Sequence, residues 1–371
     1  MSFFANNADW PLKPLKDVAH LKRGYDLPTQ DRIEGEIPIF AANGKNGTHN
    51  EAKIKGPGVI TGRSGTIGKV HFTEHDYWPL NTALYVTDFK GNDPKWVYYM
   101  LQAFKLDRFV EGAGVPTLNR NLVHDELIPL PPLAEQKRIA AILDKADAIR
   151  RKRQQAIQLA DEFLRAVFLE MFGDPVTNPK GWDVLELHQV VDFIGGSTLP
   201  PTEEYIGQTK GIAAFKVGDM NSDGNDTFLI TPREWAREYS RKHAYAPIGT
   251  IVIPKRGGAI GTNKKRITSV ESVLDPNLMG INPKNKVSLE YLFYWFQMLD
   301  LSTISNGSSV PQLNKKDLAP LNILVADKDV HVRFDEIYRN VQATKQKFMS
   351  SLYLNELSFS GLSQKAFSGQ L

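Results

Sequence analysis

The 371-residue chain has no cysteine. A disulfide framework, a thiolate-held zinc site and a thiol nucleophile are therefore excluded. It has no apolar run near the 18 residues that a membrane-spanning helix needs. Residues Met1 to Trp10 show no basic stretch followed by an apolar one. No secretory leader is legible there, so a cytoplasmic setting is the expectation. Charge of either sign is barely in excess: 45 Lys and Arg against 42 Asp and Glu leave +3. So small a total neither implies nor forbids a nucleic-acid partner, because a phosphate-binding surface needs only local positive charge. With 42% apolar and 23% charged residues, the chain is neither collagen-like nor wholly disordered. At roughly 100–200 residues per domain, its length allows two or three domains.

Catalytic patterns are equally scarce. His71-Phe72-Thr73-Glu74-His75 has the H-x-x-E-H spacing of an inverted zinc peptidase. That motif needs a helix, whereas these residues follow Gly65 and Gly68 in a strand-like stretch. Gly62 to Lys69 resembles a phosphate-binding loop with the wrong glycine spacing, and Val70 stands where Ser or Thr would hold Mg²⁺. There is no Asn-Pro-Pro-Tyr of an adenine N6-methyltransferase. The expectation is a chain with no catalytic residues and no metal ligands of its own.

What the chain does contain is a repeat of half its length. Trp10 matches Trp182 at an offset of 172. Val59 to Gly68 is aligned with Val252 to Gly261 at 193, which sets Arg63 against Arg256. Val115-Pro116-Thr117-Leu118-Asn119 matches Val310-Pro311-Gln312-Leu313-Asn314 at 195, and Phe172 then falls on Phe367. The 21 extra residues of the second copy lie before its Gly-rich loop, where insertions are tolerated.

Between Leu133 and Phe172 there is neither Gly nor Pro. Pro131-Pro132 and Glu135 mark a helix start, and Gly173-Asp174-Pro175 marks its stop. Ile139, Ile142, Ala146, Ile149, Ala156, Ala160, Phe163 and Val167 recur at coiled-coil spacing. Val330, Phe334, Ile337, Val341, Phe348 and Leu352 do so in a second helix, with Asp327 or Asp329 as N-cap and Gly361 as a point of fraying. The expected fold class is α+β: two mixed units, residues 1–132 and 174–326, joined by helices over 133–173 and 327–371. These helices pair as an antiparallel coiled coil with pseudo-twofold symmetry. Ile37 to Ala42, Gly58 to Thr61, Ala83 to Thr87, Phe215 to Val217 and Thr250 to Ile253 read as strands. Trp96 to Phe104 and Leu289 to Leu299 read as helices, with Tyr291 to Phe296 as core.

Glycines let a backbone approach a ligand closely, and arginine brings a fork suited to phosphate or to guanine O6/N7. The candidate DNA-binding residues are therefore Arg63, Ser64 and Lys69 in the first copy. In the second they are Lys255, Arg256, Asn263, Lys264, Lys265 and Arg266. Asn43, Lys45, Lys216 and Asn221, set beside glycines, are candidates to read base edges.

In order, Ile37 to Gly44, Thr61 to Gly68, Val115 to Asn119, Ile128 to Gln136, Met171 to Asp174 and Ala366 to Leu371 resemble the specificity subunits of type I restriction–modification systems. The resemblance implies two target recognition domains, each reading half of a bipartite, asymmetric site in double-stranded DNA. It implies helices that act as a ruler and dock two methyltransferase subunits, with Leu133, Glu135, Gln136, Ile139 and Phe172 as docking residues. S-adenosylmethionine would belong to those subunits, and ATP and Mg²⁺ to restriction subunits held through them. The second helix lacks the Pro-Pro-Leu-x-Glu-Gln stretch of the first. An orphan DNA-binding scaffold without a methyltransferase is the alternative.

Overall fold

The computed structural model describes residues 2–111, 114–208, 211–237, 244–305 and 310–371. It divides into two compact units, Met1–Ala156 with Lys347–Leu371, and Ile157–Gln346. The long helices Leu133–Phe172 and Lys328–Ser368 each contribute a portion to both units.

In the first unit a four-stranded antiparallel sheet runs in the order His20–Arg23, Ala83–Asp88, Gly58–Gly62, Val70–Thr73. A smaller sheet holds Gly44–His49, Ile37–Ala41 and Trp78–Pro79. Helix Pro94–Ala103 starts well, with Asp93 capping Trp96 N and Pro at its first turn. It buries Trp96, Val97 and Met100 against Val59, Leu84 and Val86 of the larger sheet.

The second unit repeats this plan. Its sheet runs Val191–Gly195, Leu278–Pro283, Ile251–Pro254, Arg266–Thr268, with Phe228–Leu229 added at the edge. Its smaller sheet has grown to five strands: Thr202–Glu204, Glu234–Ala236, Ile212–Phe215, Ser272–Leu274 and Tyr245–Ala246. Helix Leu289–Met298 buries Tyr291, Phe293, Trp295 and Phe296, the expected core aromatics. Each unit also ties its entry to its exit by a two-stranded ladder, Leu12–Pro14 with Leu127–Pro129 and Asp183–Glu186 with Asn322–Val325. An asparagine four residues upstream clasps each repeat tryptophan: Asn6 and Asn178 exchange hydrogen bonds with the backbone of Trp10 and Trp182.

The helix portions pair antiparallel within each unit. In the first, Arg138 donates to Leu371 O at 2.7 Å, and Arg153 lies over the Phe348 ring at 5.4 Å. In the second, the Phe172 and Phe334 rings are 5.3 Å apart, and Asp161 pairs with Lys345 at 2.5 Å.

Apolar burial along this antiparallel coiled coil is concentrated towards its two ends. The buried apolar residues of the first helix are Ile139, Ala140 and Leu143, then Leu164, Phe168 and Phe172, while Ile149 and Phe163 are half exposed. Each end of the helix registers on the core of its own unit. Phe168, for example, stacks on Tyr291 at 5.5 Å and meets Phe334 edge-on at 5.6 Å. That three-way packing, which adds the core of the unit to the helix pair, sets which face is apolar there. Two smaller expectations also change. Gly361 does not interrupt the second helix, which continues to Ser368. The strand expected over Phe215 to Val217 ends at Phe215, and a 3-10 turn covers Val217–Asn221. It turns there because the buried Asp219 carboxylate accepts from Lys216 N at 2.7 Å and Arg233 N at 3.1 Å.

Candidate nucleic-acid interface

The two stretches that match between the repeats meet in space. In the first unit Leu118 N donates to Arg63 O at 2.8 Å, and Gly65 N donates to Pro116 O at 2.9 Å. In the second, Leu313 N donates to Lys255 O at 3.0 Å, and Gly257 N to Pro311 O at 2.8 Å. Each Val-Pro-x-Leu-Asn segment thus braces the Gly-rich loop of its own unit. Each loop is also anchored at its start, Arg63 N to Thr82 O and Lys255 N to Asn277 O, both at 2.8 Å.

These bonds correct the repeat alignment. Thr61 faces Leu84 across the ladder as Ile253 faces Met279, so the strand and loop start repeat at an offset of 192, not 193. The structural partner of Arg63 is Lys255, and Arg256 stands with Ser64. Gly65 and Gly257 then coincide, both in the left-handed region at φ 87° and 67°. Matching arginine to arginine misleads because Gly257-Gly258 allows either register. At the loop's end, Ile60 faces His71 as Val252 faces Arg266, which equates Lys69 with Lys264. Gly68 and Asn263, the residues before them, are both left-handed. Each loop therefore begins at a basic residue and closes at a left-handed residue followed by lysine.

Gly62 makes the first loop tight: a Cβ there would lie 1.7 Å from Thr66 O. Arg63 is half-buried, and its Nε donates to Asn81 O at 3.2 Å, which leaves the two Nη groups for a ligand. Ser64 is half-buried and Lys69 exposed. Asn43 and Lys45 are exposed on the turn and strand that follow Ile37–Ala41. That hairpin abuts the loop, since the Gly62 Cβ position is 3.2 Å from Ala42 O and Gly44 packs on the His71 ring. Arg32 steadies it by donating to Asn46 O and Oδ1, each at 3.0 Å. His71 lies on a strand and His75 beyond it, so they share no helix face. Burial lowers the His71 pKa, helped by Lys69.

In the second unit Arg256 is exposed and Lys255 partly buried. Burial, then Arg256, lowers the Lys255 pKa. Lys264 Nζ contacts Asn221 Oδ1, and Arg266 donates to Met220 O at 3.2 Å. The basic loop and the 216–221 turn thus form one surface. Lys265 does not belong to it. It is 1% exposed and donates to Asn263 Oδ1 and Leu299 O, both at 2.7 Å, with its pKa pushed down by burial to about 8. Arg266 is largely spent on backbone carbonyls.

The expected docking residues divide in the same way. Leu133 is exposed, and Glu135 pairs with Arg138 at 2.7 Å. Gln136, Ile139 and Phe172 are buried in their own units. Gln136 receives Asp93 N and donates to Asn92 Oδ1 and Pro131 O, which fixes the helix start to the first unit. These three side chains hold the helix in place rather than present a face. Sequence reasoning did not find Arg32, Asn81, Arg233 or Glu234. Glu234 lies on the strand that pairs with Ile212–Phe215 as Gly44–His49 pairs with Ile37–Ala41, but the two strands share no residue type.

Comparison places this duplicated α+β plan, with a braced basic loop in each half, among DNA specificity proteins. The family model of the type I restriction modification DNA specificity domain matches residues 7–159 and 179–347. The chain belongs to the family of type I restriction–modification specificity subunits. It is 21% identical over 335 residues to a putative type I restriction enzyme specificity subunit of Haemophilus influenzae, covering 86% of this chain and 84% of that one. It is 25% identical over 155 residues to the EcoprrI specificity subunit of Escherichia coli, covering 40% of this chain and 39% of that one. The S subunit of the M. genitalium type I system superposes with a TM-score of 0.65 at 15% identity, covering 98% and 97% of the two chains. Among the described residues no helix is long and apolar enough to cross a membrane.

Proposed function

We propose that this chain is the non-catalytic DNA-reading subunit of a type I methyltransferase and restriction complex in the cytoplasm. Each unit reads one half of a bipartite, asymmetric site in double-stranded DNA. The long helices set the spacing between the halves, roughly one helical turn or about 10 bp. They also dock two methyltransferase subunits, which bind S-adenosylmethionine and flip the target adenine. Restriction subunits, with ATP and Mg²⁺, join through these. The chain itself carries no cofactor.

The observation that supports this reading is the loop shared by the two units: basic at its start, closed by lysine, and braced by the same two backbone bonds. Bracing of this kind holds donors where base edges and phosphates can be met without an ordering cost at binding. The loops differ in side chains and length, as two different half-sites require.

The test uses Arg63→Ala and Lys255→Ala in the full chain with its methyltransferase subunits. Each is expected to weaken binding about 5- to 150-fold, the worth of a good base contact. The loss should persist when only the other half-site is scrambled, and vanish when the variant's own half-site is scrambled. Equal loss on both halves from one substitution contradicts the two-module reading.

A further inference from the structure

The second unit holds a polar cleft beside strand Glu234–Ala236. Its volume is about 280 Å³, and it is lined by Ala214, Lys216, Gly218, Asp219, Arg233 and Glu234. Strand Glu234–Ala236 pairs with Ile212–Phe215 on one side and Thr202–Glu204 on the other. This brings Thr202 and Lys216 onto the same carboxylate: Lys216 Nζ donates to Glu234 Oε1 at 2.5 Å, and Thr202 Oγ1 donates to Oε2. Together they hold the Glu234 carboxyl below the usual range, Lys216 contributing more than Thr202.

We propose that Lys216 and Glu234 act as one unit that reads a single base pair in the major groove of the second half-site. This deepens, and rests on, the reading of the second unit as a DNA-reading module. In every Watson–Crick pair an exocyclic carbonyl oxygen and an exocyclic amino group stand side by side, hydrogen-bonded at about 2.9 Å. They are O6 of G with N4 of C, or O4 of T with N6 of A. A protein donor and acceptor that already stand at hydrogen-bond distance match that couple atom for atom. Lys216 donates to the oxygen, Glu234 accepts from the amino group, and their mutual bond need not break.

Three features argue for a base edge rather than a phosphate. A carboxylate repels the backbone, and in the groove only base amino groups offer it donors. Both side chains are preorganised, because buried Asp219 ties Lys216 N to Arg233 N, the residue before Glu234. The pair also remains reachable, with side-chain exposures of 46% for Lys216 and 32% for Glu234. Arg233, whose side chain is 68% exposed, stands beside them to meet a phosphate. The cleft adjoins the basic loop, since Lys264 contacts Asn221 at the end of the turn that Lys216 begins.

The test selects the full chain with its methyltransferase subunits against a library of randomised duplexes, then sequences what is retained. Glu234→Gln and Lys216→Met should relax the same single base pair in one half of the motif. Each should weaken binding to the wild-type site about 5- to 150-fold and leave the other positions unchanged. Whether that pair is G·C or A·T identifies the exocyclic couple. Glu203→Gln, which breaks the exposed Glu203–Arg237 pair of the same sheet, should leave the motif intact. If both cleft variants keep every position, or loosen their whole half evenly, the inference is overturned while the function stands. A wild-type complex that selects no two-part motif overturns the function, and this inference with it.

Discussion

Replacing Gly62 by Ala isolates the loop geometry from its chemistry. The added methyl would sit 1.7 Å from Thr66 O, 2.9 Å from Thr66 C and 3.2 Å from Ala42 O. An ordinary contact needs about 3.5 Å, so the nearest atom is nearly 2 Å too close. All three neighbours are backbone, so no side chain can turn aside, and the loop itself must open. Overpacking of this kind costs about 1–3 kcal/mol, sometimes more. Arg63 is the next residue, so its guanidinium is carried out of place, and the base contact proposed for it, worth about 1–3 kcal/mol, should go with it. Urea unfolding should show the first loss, and fluorescence anisotropy with a specific duplex the second, as binding weakened about 5- to 150-fold. The same chemical change at Gly361 should act oppositely. That residue lies inside the second long helix with no atom within 4 Å of a Cβ. Ala there should stabilise by about 0.5–1 kcal/mol and leave DNA binding alone. If Gly62→Ala binds within twofold of wild type, the tight loop does not position Arg63 and the reasoning fails.

Two further outcomes concern the second unit. Phe168→Ala removes a fully buried ring packed on Phe172, Tyr291, Tyr294 and Phe334. It should cost about 3–5 kcal/mol in urea unfolding, and a loss under about 1 kcal/mol would show that the helix does not share this core. Burial pushes His331 down to about 4 and Asp335 up to about 6. Below pH 6.5 the unfolded chain gains a proton on the histidine that the native state refuses until about 4, so stability falls with falling pH. From about pH 4 to 6 the native state keeps a proton on the aspartate that the unfolded chain releases, so stability falls with rising pH. His331→Phe should expose the second slope and Asp335→Asn the first, each up to about 3 kcal/mol across the window. Slopes of the same sign would contradict one of the two assignments.

The duplication, the two long helices and the loops were legible because they leave marks of composition and spacing. Leu133 to Phe172 has no breaker, and the Val-Pro-x-Leu-Asn stretch occurs twice. That each such stretch braces its loop was not legible, since contact across some 50 residues leaves no local trace. The loop register was misread because side-chain identity, Arg with Arg, outweighed backbone need. Gly68 and Asn263 serve one left-handed position with different residues, which hides the Lys69 and Lys264 match. Gln136, Ile139, Phe172 and Lys265 are contact residues by sequence pattern but buried in the fold, because their burial follows from packing that periodicity alone cannot assign. Arg233 and Glu234 gave no signal because strand Glu234–Ala236, which pairs as Gly44–His49 does, shares no residue type with it.

The central claim is that this chain gives a methyltransferase a two-part target. Single-molecule sequencing of DNA from cells expressing the chain with its methyltransferase subunit, against cells expressing that subunit alone, tests it most directly. The expected result is a methyl-adenine motif in two blocks with a fixed spacer, present only with this chain. Methylation at a single undivided motif, or the same methylation without the chain, would contradict it.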